Sequence, residues 1–406
     1  MFKSLLKTCV IAIKLLIAIV ILLFVALISQ YLFAPYFLFP EIKTFEGEKI
    51  YNPYKEMNPE NWKKGNFQVQ SQAWFGLTNG WGNTNELVDS TYSFLNYDII
   101  CTSDYMKINK YKNHRESYIP VYEHGYGIKK NHQVCIGADN VNWRDYPLIQ
   151  SVHHKQHIIN LLRDENKLII IAHPKLRHGY SPDDFKYLTN YDGIEVLNNY
   201  RISLEHWDAA LSSGHFAFII GNDDTHDITN PDEVGQFCTF INTKSLAKDS
   251  VIDALKQGNS FAVDIFRPIG ESFELKKEKL KYLALLQKFE IVNDTLFVEI
   301  DKFAKEFIFI GQNGKPLKSI KKTKKAFYKI SPEDTYIRTE IKFLNRSIIY
   351  LNPVFRYREG KPIISRQAEI DTHRTRIFRL IVIASFIFVI INIIFIMKRT
   401  KNKRKK

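Results

Sequence analysis

Acidic side chains are missing from both ends of the chain. Residues 1–40 carry three basic groups and no acid, and residues 376–406 carry nine basic groups and no acid. Together they account for twelve of the fourteen net positive charges, which leaves about +2 on residues 41–375. A chain of net charge +14 would otherwise suggest a nucleic-acid partner. A nearly neutral middle without a basic, aromatic-studded patch excludes one. Cysteine is scarce as well: Cys9, Cys101, Cys135 and Cys238 stand singly, with no CxxC pair. That excludes a zinc knuckle and a disulfide framework, and the residues read as small buried apolar groups.

Long apolar runs are confined to the same ends. The chain is apolar from Leu15 through Leu27 and continues into Tyr31-Leu32-Phe33, and Leu380 to Met397 contains no charge. About 18–20 apolar residues in a helix cross a hydrocarbon core of about 30 Å. Lys3 and Lys7 would suit the charged start of a cleavable signal peptide. The apolar run is too long for one, however, and passes into bulky residues without a small-x-small cleavage site. Transmembrane helices are therefore expected over 8–36 and 377–397, with a basic tail over 398–406. Seven Lys or Arg among the last nine positions, with Lys3, Lys7 and Lys14 at the other end, put both termini in the cytoplasm. Arg374, Arg376 and Arg379 run against that orientation. The expectation is a two-pass protein of the cytoplasmic (inner) membrane, partnered by the lipid bilayer, with its main domain extracytoplasmic.

Between the spans, residues 66–263 alternate short apolar runs with helical periodicity. Strands are expected at Tyr97–Thr102, Val134–Gly137, Lys167–Ala172, Gly193–Leu197 and Phe216–Ile220. Helices are expected at Asn85–Leu95, Ser151–Glu165, Ser181–Leu188, Ser203–Ser213 and Ser245–Gln257. Continuous apolar strands alternating with helices imply a parallel sheet, and about six to eight such units suit an α/β barrel. Residues 280–358 change character. Phe289–Ile300 reads as a hairpin turning at Val-Asn-Asp-Thr, and Tyr336–Phe343 and Ile348–Phe355 alternate like half-buried strands, together a small antiparallel β-sandwich.

Polar residues gather where strands end, the place where parallel α/β barrels keep their sites. Ile171-Ala172-His173-Pro174 closes one strand and Gly221-Asn222-Asp223-Asp224-Thr225-His226-Asp227 another, with Glu123-His124 and Asn131-His132 beside others. Imidazole and carboxylate together suit zinc, manganese or iron. Three carboxylates beside a His repel one another unless a cation is near; a solvated turn with capping aspartates is the alternative.

Ala172-His173-Pro174, Tyr191-Asp-Gly-Ile-Glu-Val-Leu-Asn198, Leu211-Ser-Ser-Gly-His215 and Gly221-Asn-Asp-Asp-Thr-His226 resemble the PHP (polymerase and histidinol phosphatase) superfamily, nearest its secreted metallohydrolase-like branch. The resemblance covers about 66–263. It implies a distorted (β/α)7 barrel binding up to three metal ions for phosphoester hydrolysis. It also implies Glu123, His132, His173, Asp224 and His226 as metal positions, Asp224 and His226 doubling as catalytic groups. The family's first strand ends in His-x-His, followed by an acidic or His position. The matching stretch, Phe67 to Gly80, carries Gln70, Gln72 and Asn79 there, and Tyr105 stands where a His is usual. Amides and a phenol bind such metals poorly. Glu123, His132 and His173, which the resemblance assigns to one ion, are complete.

Two functions follow as alternatives. One is a PHP-like domain with a partly degenerate site that binds an envelope ligand or protein, using Gln70, Gln72, Asn79, Trp74, Trp81 and Tyr105. The other is an active hydrolase working with a single divalent ion. The cofactor expectation is accordingly one divalent metal (Zn, Mn or Fe) or none.

Overall fold

The computed structural model describes residues 2–78, 80–360 and 367–403. Asn79 and positions 404–406 of the basic tail lie outside the described residues. The chain forms two compact units, Met1–Leu38 with Glu369–Lys406, and Phe39–Ala368.

The first unit contains the helices Phe2–Leu32 and Thr372–Lys403. Its segments Thr8–Leu32 and Thr372–Asn392 are long and apolar enough to cross a membrane. The helices are clipped together where they meet the rest of the chain. Phe37–Leu38 pairs antiparallel with Glu369–Ile370, Asp371 donates its N–H to the Tyr36 carbonyl (2.9 Å), and the Arg379 guanidinium donates to the Phe33 carbonyl (2.8 Å).

The second unit is a mixed α/β structure. Its first seven main strands are β1 (Trp62–Asn66), β2 (Ile99–Ile100), β3 (Val121–His124), β4 (Gln133–Ala138), β5 (Asn166–Ile171), β6 (Gly193–Asn198) and β7 (Phe218–Asn222). Strands β3 to β7 form one sheet in sequence order. Parallel pairing, expected throughout, holds for β5–β6–β7 and for β1–β2, whereas β3–β4 and β4–β5 are antiparallel. The connection over 125–132 is too short for the crossover that a parallel β3–β4 pair would need. Isolated parallel bridges at Val69–Thr225 and Tyr105–Glu123 join the β7 and β3 edges to the segments that follow β1 and β2. The helices Asn85–Phe94, Val152–Arg163, Leu204–Ser212 and Lys248–Lys256 fall where expected. The expected helix at 181–188 is a single 3-10 turn, Asp184–Lys186, because so short a segment does not sustain a helix by itself.

Seven further strands are β8 (Phe237–Asn242), β9 (Ser260–Asp264), β10 (Leu286–Val292), β11 (Thr295–Gly311), β12 (Lys315–Lys329), β13 (Tyr336–Lys342) and β14 (Ile348–Tyr357). The hairpin turn is where the sequence places it: Asn293 and Asp294 both have positive φ (46° and 55°), the two-residue turn that suits twisted strands. The separate β-sandwich is not found. The large sheet runs β10-β11-β13-β14-β9-β8-β1-β2 without a break, β9 pairing with β14 through Val263↔Ile349. One apolar cluster takes Val69, Tyr92 and Phe240 from one side of the expected boundary and Leu296, Phe307 and Ile341 from the other. A strand pairs wherever a free edge and an apolar face are offered, and β9 offers both to β14.

Asn352 on β14 ties these layers together. Its Oδ1 accepts the Ile219 N–H (2.8 Å), and its Nδ2 donates to the carbonyls of Gly258 (3.0 Å) and Ser260 (2.9 Å), all buried. Removing one partner of a buried hydrogen bond leaves the other desolvated, at about 1–3 kcal/mol. Asn352→Ala should lower urea stability by that amount, and an unchanged midpoint would mean the ties carry no weight. A chain ended at 265 strips β14 from β9 and is expected in the insoluble fraction; a soluble, cooperatively folding fragment would restore the two-domain division.

Candidate metal centre

Because β3, β5, β6 and β7 run the same way and β4 runs opposite, their polar ends meet at one rim. Glu123 lies near the end of β3, His132 just before β4, and His173 and Asp224 just beyond β5 and β7. Glu123, His132 and His173 are fully buried, and each offers one ligand atom within 4.8 Å of the others. Glu123 Oε1 is shared by His132 Nδ1 and by His173 Nε2, the latter at 3.2 Å. Asp224 Oδ2 lies 4.0 Å from His173 Nε2. Gly125 makes room for this packing, since with φ +118° a Cβ there would lie 2.7 Å from the His132 ring.

His173 (φ 27°) and Asp224 (φ 51°) both adopt left-handed backbone. Non-glycine residues hold it at a cost of about 1–3 kcal/mol each, typically at functional sites. Glu195 on β6 steadies the first: its Oε2 accepts the His173 N–H (3.0 Å) and the Asn198 amide (2.9 Å), and its Oε1 accepts the Asn222 amide (2.8 Å). Asn198 Nδ2 reaches on to Asp224 Oδ2 (3.1 Å). Neither Glu195 nor Asn198 stood out by itself in the sequence. The strand Gly193–Asn198, wholly buried, was the available signal.

The positions that the resemblance marks as replaced divide. Gln70 is buried in the site and donates Nε2 to Glu123 Oε2 (2.6 Å) and to the Ser103 carbonyl (2.9 Å). The opposite amide flip would set two oxygens together. Gln72, expected beside Gln70, is exposed. Gln68, two residues before Gln70, is also buried, and both its side-chain polar atoms lack a hydrogen-bond partner. Tyr105 stacks edge-on against His132 (5.3 Å) and lies 6.3 Å from the His226 ring. Burial, with Glu123 and Asp224 nearby, pushes its phenol well above 10, so it remains neutral and a poor ligand. His226 lies at the rim, its Nδ1 within 3.0 Å of the Tyr200 hydroxyl and 3.9 Å from Asp224.

The remaining acids are structural. Asp223 accepts the N–H groups of Gly235, Gln236 and Phe237 and the Tyr92 hydroxyl. Asp104 accepts from Ser71 and Asn109. His124 bonds Gln133 and the Arg144 carbonyl.

Burial opposes the Glu123 charge, but His132 and His173 beside it hold the carboxyl well below its usual range. Burial lowers His132, and Glu123 only partly restores it. Burial also opposes the charge on His173, yet Glu123, Asp224 and Glu195 push it up to about 9. Glu195 is raised to about 8 by burial and by Asp224, and Asp224 is raised chiefly by burial. The arrangement fits one divalent ion. The donors are an anionic oxygen and two imidazoles, and His132 Nε2, His173 Nδ1 and Asp224 Oδ1 are buried without a hydrogen-bond partner.

No protein-family model matches the chain, and no curated protein matches it. Among solved structures it is similar to a two-domain protein from Bacteroides vulgatus containing a predicted PHP-like metal-dependent phosphoesterase. The similarity covers 77% of this chain and 99% of that one, at 12% sequence identity and a TM-score of 0.37.

The raised His173 value sets a pH test. A folded pKa of about 9 against about 6.5 unfolded gives stability fully present below about 6.5 and lost as pH rises through about 9. Glu123, held low, contributes throughout that window. Metal-free protein should lose urea stability between about pH 7 and 10 more steeply than His173→Gln does. Parallel pH curves for the two would refute the Glu123–His173 ion pair.

Proposed function

We propose that this chain is a membrane-anchored, envelope-facing PHP-like domain with one surviving metal position. It is a weakened or inactive relative of metal-dependent phosphoesterases that binds an envelope ligand or partner. The observation that carries the reading is the buried Glu123–His132–His173 group with Gln70 bonded to its carboxylate. Gln70 turns an N–H rather than a lone pair toward Glu123 Oε2, which disfavours a cation on that oxygen. Tyr105 brings a neutral phenol to a position where the family has imidazole. The ring traced by β1 to β7 and its two bridges supports the distorted (β/α)7 architecture, and the two apolar helices support the anchor.

Glu123, His132 and His173 would hold a zinc, manganese or iron ion, with Gln70 fixing the carboxylate's orientation. Such an ion supplies Lewis-acid charge to a phosphoryl oxygen. Multi-ion phosphoryl transfer clamps both the attacking and leaving oxygens, and losing two of three ions should cost several kcal/mol, about 10³-fold or more in rate. Asp224 favours the second reading, an active single-ion hydrolase acting on an extracytoplasmic substrate. Its Oδ1 is buried without a hydrogen-bond partner, and its raised pKa suits a group that takes up and releases a proton.

Elemental analysis after dialysis should find about one divalent ion per chain, falling close to none in His173→Ala. Two or three ions per chain would overturn the degenerate site, and none would leave only the ligand-binding role. Phosphodiester hydrolysis abolished by Asp224→Asn, with the ion retained, would establish the hydrolase instead.

A further inference from the structure

The chain has five tryptophans. Trp62 and Trp207 are buried, whereas Trp74, Trp81 and Trp143 are 39%, 70% and 58% exposed. The exposed three gather in one patch. Trp74 and Trp143 meet edge-on at 5.9 Å, and the Trp81 ring lies over Gly76, leaving no room for a Cβ. The Tyr126 hydroxyl reaches the Trp143 carbonyl at 3.3 Å. Phe75 and Leu77, beside Trp74, are 88% and 84% exposed. Trp74 and Phe75 both hold left-handed backbone (φ 51° and 56°), a strain that bulky residues seldom carry. Strained backbone thus displays apolar side chains to water.

The patch borders the metal centre, since Trp74 Nε1 donates to the Tyr105 carbonyl (2.7 Å). Cations flank it: Lys107 Nζ stands 5.8 Å over the Trp74 ring and Lys130 Nζ 5.2 Å over the Tyr105 ring. Exposed Trp and Tyr, fully presented Phe and Leu, and adjacent lysines are the chemistry of a surface that enters the headgroup layer of an anionic bilayer. A glycan would use the indole faces but leave Phe75 and Leu77 in water. The same chain also carries two membrane-length helices, which would keep a bilayer within reach.

We propose that Trp74, Phe75, Leu77, Trp81, Tyr126 and Trp143 form an interfacial docking surface that sets the mouth of the metal centre against an anionic lipid surface. The proposal rests on the membrane-anchored reading of the terminal helices.

Neither residues 1–38 nor 369–406 contain tryptophan, so tryptophan emission of the full chain reports on the folded unit alone. Full-length protein would be reconstituted into phosphatidylglycerol–phosphatidylcholine vesicles with brominated acyl chains. Emission should be quenched, less so without phosphatidylglycerol, and the quenching should be lost in Phe75→Ser/Leu77→Ser, whose exposed positions leave the core intact. Circular dichroism checks that this variant is folded. Protein that floats with the vesicles but remains unquenched and open to aqueous acrylamide would overturn the docking surface and leave the anchor standing. Protein that does not float would overturn the anchor and the proposal with it. Protection of the tryptophans by a soluble glycan without bromolipid quenching would assign the patch to carbohydrate and overturn the lipid assignment.

Discussion

One buried carboxylate organises the centre of this molecule. Glu123 is fully enclosed, where an uncompensated charge is costly. Each of its oxygens is therefore engaged: Oε1 by two imidazoles, Oε2 by the Gln70 amide. That demand places His132 and His173 face to edge at 5.2 Å and holds His173 in an unfavourable backbone conformation. It also ties the Glu123, His132 and His173 trio to Gln70 as one hydrogen-bonded group. The amide satisfies a lone pair of the second carboxylate oxygen.

The strain at His173 and Asp224 is borne by an inflexible surround. Glu195, Asn198 and Asn222 form a buried chain of hydrogen bonds along β6 and β7, and it reaches both residues. Behind it, Gly221 lets β7 approach the large sheet, since a Cβ there would lie 3.2 Å from both Ala262 Cβ and the Cys238 carbonyl. The large sheet is continuous through β9 and β14, so the β-rich segment is part of what holds the centre. Arg338 on β13 extends the connection with a bidentate pair to Asp208, on the helix Leu204–Ser212.

The polar and apolar faces of the folded unit are segregated for opposite reasons. The lysine-rich strand β12 is an edge, mostly exposed, and charge on an edge blocks pairing with other chains. The tryptophan-bearing rim instead presents apolar groups beside the Glu123 group, with Lys107 and Lys130 at its flank.

Elements with strong local signals were legible in the sequence: the apolar ends, the Asn-Asp hairpin turn, four of the five helices, and the Glu123, His132 and His173 trio through its family resemblance. Each depends on periodicity, turn chemistry or a motif that a few consecutive residues carry. Strand β12 escaped because its alternating lysines carry no apolar period. That Gln70 is buried while Gln72 is exposed is not written in the local pattern, because both stand on the same alternation and only the fold separates them. The antiparallel course of β4, the merging of the expected sandwich into one sheet, and the roles of Glu195 and Asn198 were decided by tertiary structure. Which strand edge is free, and which polar group must answer a buried charge, depends on residues far apart in the chain and becomes determined only when the fold brings them together.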